Sequence, residues 1–292
     1  KLVVLGAGES GIGAAILGKQ KGYDVFVSDK NVISNELQTI LNNQGIPWES
    51  GKHTMDLLYG AKIAVKSPGI PGNIPLITDL KEKGTNVLSE IEFAAQSTSA
   101  TLIGITGTNG KTTTTMMTYE ILKNGGFHVG LAGNIGVSFA KQVAEQDFDY
   151  YVLEISSFQL DDIDQFAPHI ALITNITPDH LDRYNYSFED YIQAKIKITK
   201  NQTASNFFLF NSDDKILVDS LKGAKIQSKQ IPFGVESIQE SGSYFKENQI
   251  ILNHQNKTTM INSAEFPFAG RHNLLNAMAA ATIGNLLSIS KE

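Results

Sequence analysis

A glycine-rich run that ends in a lysine constrains this chain more than any other feature. Residues 104–113 read Gly-Ile-Thr-Gly-Thr-Asn-Gly-Lys-Thr-Thr, and residues 114–124 continue as a helix-like segment. A strand, a glycine-rich turn, a lysine, a hydroxyl and a helix form the arrangement that binds nucleotide phosphates. The strict pattern has glycine six positions before the lysine, where Ile105 stands, so an ordinary turn is the alternative. The run predicts a phosphate-binding loop with Lys111 at the outer phosphates and Thr112 on Mg²⁺.

A second glycine motif lies near the start of the chain. Residues 2–5 form an apolar run, and residues 6–11 match the pattern Gly-x-Gly-x-x-Gly. A helix-like stretch, 12–21, and a second strand, 24–28, follow, and Asp29 stands where a dinucleotide-binding fold carries its acidic residue. The pattern predicts a Rossmann-type unit that binds a pyrophosphate at a helix start. A tight turn in any doubly wound sheet is the alternative.

The rest of the first segment continues the alternation of strands and helices. Residues 63–65 and 87–89 have strand character, and residues 90–96 have helix character. Residues 67–72 form a proline- and glycine-containing loop at a strand's carboxyl end, where open α/β sheets bind ligands. Residues 97–99 are predicted to link two domains.

The second segment is predicted to contain a mostly parallel, covered sheet. Its strand signals are 101–105, 128–130, 150–153, 170–174 and 207–210. Antiparallel hairpins are predicted at the sheet edge over 230–265, divided by turns at Gly234, Ser241-Gly242 and Asn253-His254. An Ala-rich helix is expected to end near residue 288. The fold class is α/β: a Rossmann-like domain over 1–89 and a P-loop NTPase-like central domain over 90–292.

Composition excludes several classes of function. The net charge is −6 and no Lys/Arg cluster stands out, which disfavours nucleic acid as a partner. Cysteine is absent, so disulfides and thiolate metal sites are excluded, and a reducing compartment fits. No apolar run reaches about 18 residues, so we expect no membrane insertion.

Four further groups of residues have the chemistry of a site. Glu154 ends a strand, where a carboxylate can bind the Mg²⁺ of a nucleotide, and an acid exposed on a loop is the alternative. His180, between Asp179 and Asp182, is suited to metal binding or acid–base chemistry, and a purely structural histidine is the alternative that its spacing leaves open. Lys195 lies on a helix with other lysines, and spacing alone favours a solvated helix face. Asn134, flanked by glycines, fits a ligand contact and a simple turn equally well.

Taken together, these motifs resemble the Mur ligases of peptidoglycan synthesis along the whole chain. The Ser-Ser-Phe-Gln-Leu block favours the D-glutamate-adding branch of that family. The motifs that carry the resemblance are Gly107–Thr113, Gly133–Gly136, Glu154–Leu160, Pro178–Tyr184, Tyr191–Lys195 and Gly270–Asn276.

The resemblance implies that the first domain binds the uridine diphosphate of a substrate rather than a nicotinamide. The backbone interactions with a pyrophosphate are the same for both ligands, so the glycine motif alone does not decide between them. The implied substrate contacts are Glu9, Ser10, Asp29, Lys30, Asn31, Ser67, Gly69, Asn134, Gln159 and His180.

The resemblance also implies an ATP site with two Mg²⁺ ions. Thr112 and Glu154 would hold the first ion, and His180 would hold the second with Lys195 carbamylated to N6-carboxylysine. The catalytic residues would be Lys111, His180 and Lys195. The implied ATP contacts are Gly107, Thr108, Asn109, Gly110, Lys111, Thr112, Thr113, Asn273 and Asn276.

The implied reaction joins D-glutamate to UDP-N-acetylmuramoyl-L-alanine through an acyl phosphate and releases ADP and phosphate. A cytoplasmic monomer is expected. Because Mur ligases carry a third domain that contacts the amino acid, we expect a truncated chain, inactive or nearly so, that ends where that domain would begin. The alternatives are another amino-acid-adding Mur ligase, a nicotinamide-dependent oxidoreductase and a regulatory P-loop ATPase.

Overall fold

The computed structural model describes residues 1–255, 257–263 and 270–289, and it divides into two compact units. The first unit joins Lys1–Ser99 with two later segments, Ile135–Asp147 and Phe158–Phe166. The second unit consists of Ala100–Asn134, Phe148–Ser157 and Ala167–Glu292. The domain bounds 1–89 and 90–292 remain a prediction, and the two later segments of the first unit had no signal in the sequence.

The first unit contains a five-stranded parallel sheet of strand order β3-β2-β1-β4-β5. All four residues of β1 are buried, as expected for a parallel strand covered on both faces. The strand order reverses between β1 and β4, and ligands of open α/β sheets bind at the carboxyl ends of such strands. The strands are β1 (Leu2–Leu5), β2 (Val25–Asp29), β3 (Trp48–Ser50), β4 (Ile63–Lys66) and β5 (Asn86–Ser89).

Helices of the first unit begin at residues that cap them. Ser34 Oγ accepts a hydrogen bond from Leu37 N–H, and Ser89 Oγ accepts one from Glu92 N–H. Strand β3 and the second, third and fourth helices were not predicted from the sequence. The helices are α1 (Glu9–Gln20), α2 (Asn35–Asn43), α3 (Met55–Leu58), α4 (Pro75–Glu82), α5 (Glu90–Ala95) and α7 (Phe139–Glu145), with α8 (Ser157–Asp161) almost entirely in this unit.

The second unit contains a nine-stranded sheet of order β14-β13-β12-β11-β10-β9-β6-β8-β7. Strands β6 to β11 are parallel, and β12, β13 and β14 form antiparallel pairs at one edge. The mostly parallel sheet with an antiparallel edge is thus confirmed. The strands are β6 (Thr101–Thr106), β7 (Val129–Gly133), β8 (Tyr150–Glu154), β9 (Ile170–Ile173), β10 (Phe207–Asn211), β11 (Lys229–Gly234), β12 (Gly242–Lys246), β13 (Gln249–His254) and β14 (Lys257–Asn262).

The antiparallel region is shorter than the predicted 230–265. Strand β11 runs parallel to β10, because a helix connects the two strands, and it is also parallel to β12. The first tight hairpin turn lies at Glu247 and Asn248, both with positive φ, which suits the twist of flanking strands. The predicted turn at Asn253-His254 is wrong, since both residues end β13. Residues 264 and 265 of the predicted region lie outside the described residues.

The helices of the second unit cover a large apolar core. Ile103, Val152, Leu172 and Leu209 from four strands are buried there with Ile283 of the last helix. The Ala-rich helix predicted to end near 288 ends at 286. The helices are α6 (Lys111–Asn124), α9 (Phe188–Ile196), α10 (Lys215–Leu221) and α11 (Arg271–Leu286). In the described part of the chain, no helix is both long and apolar enough to span a membrane.

One carboxyl group of the first unit, that of Glu90, is buried and is expected to make the stability of the protein dependent on pH. Glu90 is 2% exposed, and its Oε1 accepts hydrogen bonds from Ser138 Oγ–H (2.7 Å) and Ala140 N–H (2.6 Å). Its Oε2 is buried without a hydrogen-bond partner. Burial raises the pKa of Glu90 to about 7, and the nearby Glu9 carboxylate contributes in the same direction.

We expect Glu90→Gln to stabilise the protein above pH 7 and to leave its stability unchanged near pH 4.5. A raised folded-state pKa favours the protonated form, so the wild type loses stability as pH rises through about 7. Above pH 7 the free energy of unfolding of Glu90→Gln should exceed that of the wild type by about 3 kcal/mol, because each unit of pKa shift corresponds to about 1.36 kcal/mol. Urea unfolding at pH 5 and pH 8 measures it, with the exposed Glu36→Gln as control. Equal pH slopes for wild type and Glu90→Gln would contradict the expectation.

Candidate nucleotide site

The glycine-rich run forms a loop between β6 and α6 in the second unit. Strand β6 continues to Thr106 and α6 begins at Lys111, so the loop consists of Gly107–Gly110. Gly104 belongs to the strand, where a β-carbon would crowd Ile155 and Ile198 at 3.2 Å. The departure from the strict pattern therefore lies in the strand and not in the loop.

Two loop positions require glycine. Gly107 has φ of +144° and Gly110 has φ of +80°, a region that residues with side chains rarely adopt. A β-carbon at position 107 would lie 1.9 Å from Thr174 Oγ1, and one at position 110 would lie 2.5 Å from Asn276 Oδ1. The loop backbone thus runs directly against its neighbours, and it leads into the amino terminus of a 14-residue helix, where N–H groups attract anions.

Lys111, the first residue of α6, is positioned by the loop itself. Its Nζ donates a hydrogen bond to Thr108 O at 2.9 Å. Desolvation lowers the pKa of Lys111, while the carboxylates of Glu154 and Asp179 partly offset this effect. A partly desolvated cation with few protein partners is suited to bind phosphate oxygens.

Glu154 connects the loop helix to the neighbouring strand. It is 1% exposed, so an exposed loop position, the alternative that sequence allowed, is ruled out. Thr112 Oγ1 donates to its Oε2 at 2.7 Å, and Asn134 Nδ2 donates to its Oε1 at 2.8 Å. Strands β6 and β8 are adjacent, with Ile105 opposite Glu154, which brings these groups together.

The pair Thr112 and Glu154 fits a magnesium ion. A hydroxyl and a carboxylate supply the oxygen ligands that Mg²⁺ prefers, and Mg²⁺ takes its other ligands from water and phosphate. Within the described ranges, no three or more His, Cys, Asp and Glu residues are grouped as a metal site. Thr112 and Glu154 thus fit an ion that completes its coordination with oxygens from outside the protein.

Lys195 is buried, which contradicts the solvated helix face favoured by its spacing. It is 2% exposed, its Nζ donates to Gly107 O at 2.8 Å, and it lies 4.6 Å from the ring centre of Tyr191. Desolvation lowers the pKa of Lys195 to about 7, and the charge of Lys111 adds to this effect. The spacing failed because the apolar face of α9, which includes Ile192 and Ile196, turns Lys195 inward with it.

His180 lies at the exposed start of a short 3-10 turn that follows β9. Its φ is +50°, and its Nε2 is 3.5 Å from Asp179 Oδ2. Residues Asn185 and Tyr186, at the other end of the turn, also have positive φ. Such backbone conformations concentrate at ligand sites, and this loop follows the strand beside β6.

A cavity of about 490 Å³ lies beside the loop. Asn276 lines it, whereas Asn273, the other predicted adenine contact, lines a neighbouring cavity of about 320 Å³. Several polar residues of the larger cavity had no role predicted for them. Arg271 lies within the motif Gly270–Asn276, and Asn175 lies just before the motif Pro178–Tyr184. Asn211, Asp213 and Asp214 come from a segment without a motif.

The remaining predicted nucleotide contacts lie where the loop pattern places them. Thr108 is half-buried and Asn109 is exposed on the loop, and Thr113 is the third residue of α6. The structure therefore brings the residues of the predicted ATP loop and its first metal site together on the second unit.

Predicted substrate contacts of the first unit cluster at the carboxyl ends of β1, β2 and β4. Asp29 accepts hydrogen bonds from Ala7 N–H (2.7 Å) and Asn31 N–H (2.8 Å), which ties the first glycine turn to the end of β2. Glu9 and Ser10 begin α1, Lys30 and Asn31 are exposed after β2, and Ser67 and Gly69 follow β4.

Gln159 is buried on α8 of the first unit, at 2% exposure. A second cluster in this unit escaped the sequence analysis: Ser28 Oγ is 2.8 Å from Glu49 Oε1 and 2.7 Å from His53 Nδ1. Glu49 and His53 are on and after β3, a strand too short to give a signal. Asn134 and His180 are in the second unit.

The fold and the loop define an α/β protein with the type of loop that binds phosphate, and comparison with known proteins identifies its family. Residues 105–284 match the Mur ligase middle domain, and residues 1–89 match the Mur ligase MurD-like N-terminal domain. The chain belongs to the Mur ligase family.

Curated relatives are similar along the whole chain. It is 48% identical over 292 residues to UDP-N-acetylmuramoylalanine--D-glutamate ligase of Christiangramia forsetii, and 49% identical over 294 residues to the protein of the same name in Bacteroides fragilis. Both alignments cover 100% of this chain and 66% of the relative. The chain therefore spans 66% of the length of these relatives.

Solved structures of Mur ligases share the fold. UDP-N-acetylmuramate:L-alanyl-gamma-D-glutamyl-meso-diaminopimelate ligase from Neisseria meningitides has a TM-score of 0.64 at 18% identity and covers 99% of this chain and 94% of that one. A pseudomurein peptide ligase type C from Methanothermus fervidus has a TM-score of 0.55 at 25% identity, and the match covers 100% of this chain and 68% of that one. The predicted Rossmann-like and P-loop-type architecture is thereby confirmed.

Proposed function

We propose that the whole protein is an ATP-dependent amide ligase that adds D-glutamate to UDP-N-acetylmuramoyl-L-alanine in peptidoglycan synthesis. The observation that carries the proposal is the Lys111 loop with Thr112 and Glu154 in hydrogen-bond contact beside it. The identity of 48% to a D-glutamate ligase over the full chain supports the choice of amino acid. We propose a cytoplasmic monomer.

ATP would bind with its phosphates on the loop and its adenosine in the 490 Å³ cavity, which Asn276 lines. Thr112 and Glu154 would hold one Mg²⁺, and His180 and the carbamate of Lys195 a second; the ions supply charge neutralisation at the phosphates. Lys111 adds its positive charge where negative charge develops during phosphoryl transfer.

The proposed reaction has two steps, phosphoryl transfer and then amide formation. A carboxylate oxygen of the substrate attacks the γ-phosphorus of ATP, so that an acyl phosphate forms and ADP leaves. The amine of D-glutamate then attacks the acyl carbon, loses a proton and expels phosphate, which leaves the amide. His180 is exposed at the site and is suited to accept that proton or to bind the second ion.

The proposed carbamate at Lys195 follows from the state of its amine. With a pKa of about 7, roughly half of the amine is neutral at pH 7, whereas an ordinary lysine is almost entirely protonated. A neutral amine adds to CO₂, forms an N–C bond and releases one proton. The product is a carboxylate-like oxygen ligand next to Lys111.

We expect ¹³C-bicarbonate to give one carbamate resonance that depends on Lys195. The signal should appear at pH 8 and fade below pH 6, where the amine is protonated. A ¹³C NMR spectrum measures it, and Lys195→Arg should abolish the resonance. Lys197→Arg, two residues away and only partly buried, is the matched control and should keep it. A resonance that survives in Lys195→Arg would contradict the assignment.

The first unit is proposed to bind the uridine diphosphate at the turn of Glu9 and Ser10. The proposed contacts there are Asp29, Lys30, Asn31, Ser67 and Gly69, with Gln159, Asn134 and His180 toward the rest of the substrate. Calorimetric titration with UDP-N-acetylmuramoyl-L-alanine and with NAD⁺ tests this. Binding of NAD⁺ alone would favour an oxidoreductase and refute the proposal.

Turnover of the whole protein tests the reaction. Phosphate release should require ATP, the UDP-sugar and D-glutamate together. A panel of other amino acids in place of D-glutamate tests the branch of the family. ATP hydrolysis that is indifferent to the UDP-sugar would instead indicate a regulatory ATPase.

A further inference from the structure

The loop Gly107–Gly110 is hydrogen-bonded to the segment that follows β9. Asn175 O accepts a hydrogen bond from Thr108 N–H at 2.9 Å. The Asn175 side chain pairs with the backbone of Asn109 in both directions: its Oδ1 accepts from Asn109 N–H (2.9 Å) and its Nδ2 donates to Asn109 O (2.8 Å). One residue therefore binds two consecutive loop residues through three hydrogen bonds.

Neighbouring hydroxyl groups add to this contact. Thr174 Oγ1 donates to Asn109 O at 2.7 Å. Thr108 Oγ1 accepts from Thr177 N–H at 3.0 Å and donates to Thr177 O at 3.1 Å. The Tyr191 hydroxyl lies 3.1 Å from the same oxygen and can donate to it. Each of these hydroxyl groups has partners in the protein, and these contacts define the shape of the loop.

The contact determines which backbone groups remain for phosphate. The N–H groups of Thr108 and Asn109 are taken by Asn175. The N–H groups at the start of α6, which lack partners within a helix, are the ones left to bind an anion. An ordered loop also binds more tightly, because ligand binding does not have to order it.

We propose that Asn175 is a positioning residue for nucleotide binding: it fixes the loop in the conformation that binds phosphate. The inference rests on the proposed function, since it assumes that ATP binds at this loop. Asn175 also lines the cavity, so a direct contact with the nucleoside is the competing explanation. A phosphate ligand without a nucleoside separates the two.

The experiment compares two variants of the whole protein that leave its net charge unchanged. Asn175→Ala removes both side-chain bonds to Asn109. Thr174→Val keeps the shape of a buried side chain and removes the bond from Oγ1 to Asn109 O. Asn253→Ala is the matched control, because Asn253 Nδ2 also donates to a backbone oxygen, that of Gln239 (2.8 Å), on a strand outside the loop contact.

Calorimetry would measure the affinity for MgATP, for inorganic triphosphate and for UDP. We expect Asn175→Ala to weaken MgATP and triphosphate by the same factor, between about 10- and 100-fold, and Thr174→Val to weaken both about fivefold. The affinity for UDP should stay unchanged in both variants. In the control, Asn253→Ala, the affinities for MgATP, triphosphate and UDP should all stay unchanged. In turnover assays, KM for ATP should rise while kcat at saturating ATP stays within about threefold.

Other outcomes overturn the inference. If Asn175→Ala weakens MgATP but not triphosphate, Asn175 contacts the nucleoside and does not act through the loop. Affinities within about twofold of wild type for both variants would also refute it. If Asn175→Ala loses UDP binding through misfolding, Thr174→Val decides alone by the same criterion. A wild type that binds UDP but neither MgATP nor triphosphate would refute the proposed function itself, and the role of Asn175 with it.

Discussion

Replacing Lys111 with methionine is expected to reduce the turnover of the whole protein about 10³-fold or more. Methionine keeps much of the length of the side chain and removes the charge that would neutralise the phosphates. In the part of the chain that the structure describes, Lys111 Nζ donates its one side-chain hydrogen bond to the loop oxygen of Thr108. The fold should therefore persist in the variant. Release of ADP at saturating substrate concentrations measures the effect.

The control for this variant lies on the same helix. Lys123, in the last turn of α6, has its Nζ 5.5 Å from the ring centre of Tyr119 and is remote from the loop in sequence and along the helix. Lys123→Met removes the same charge and should keep turnover within about twofold, since exposed positions contribute little. Turnover of Lys111→Met within tenfold of wild type would show that the loop does not act on the transferred phosphate.

The second large effect is expected for Glu154→Gln, again about 10³-fold in turnover. Glutamine keeps the shape of the buried side chain and can still accept the hydrogen bond from Asn134 Nδ2. It removes the negative charge that would hold Mg²⁺ with Thr112. The concentration of Mg²⁺ needed for half-maximal rate should rise together with the loss of rate.

Exposed Glu120 on α6 offers a matched control for this change. Glu120→Gln has the same change of charge and should leave both the rate and the Mg²⁺ dependence unaltered. Suppose that Glu154→Gln lowered the thermal stability but left the Mg²⁺ concentration for half-maximal rate unchanged. The carboxylate would then have a structural role in joining β8 to α6, and the metal assignment would be wrong.

The strands and turns next to the glycine motifs could be predicted because their signals are local. An apolar run such as 2–5, a glycine turn and a following helix obey rules that involve only neighbouring residues. The same holds for Glu154, because a residue at the end of a parallel strand lies at the edge where the neighbouring strand also ends. The short β3 lacked such a signal and was missed.

Lys195 marks the limit of this reasoning. The sequence around it carries other lysines and favours an exposed face, yet the apolar residues of α9 bury it against Gly107 O. Only the resemblance to Mur ligases pointed to the residue. Its lowered pKa depends on burial and on Lys111, which is 84 positions away along the chain, and neither can be read from spacing.

The sequence by itself determined the α/β class, the two glycine turns and the family, because these follow from short patterns of residues. The tertiary structure decided which side chains meet. It placed Asn175 on the loop backbone, buried Lys195 beside it and added residues 135–147 and 158–166 to the first unit. The physical reason is that backbone conformation follows mainly from neighbouring residues, whereas desolvation and hydrogen bonding depend on groups that the folded chain brings together from distant positions.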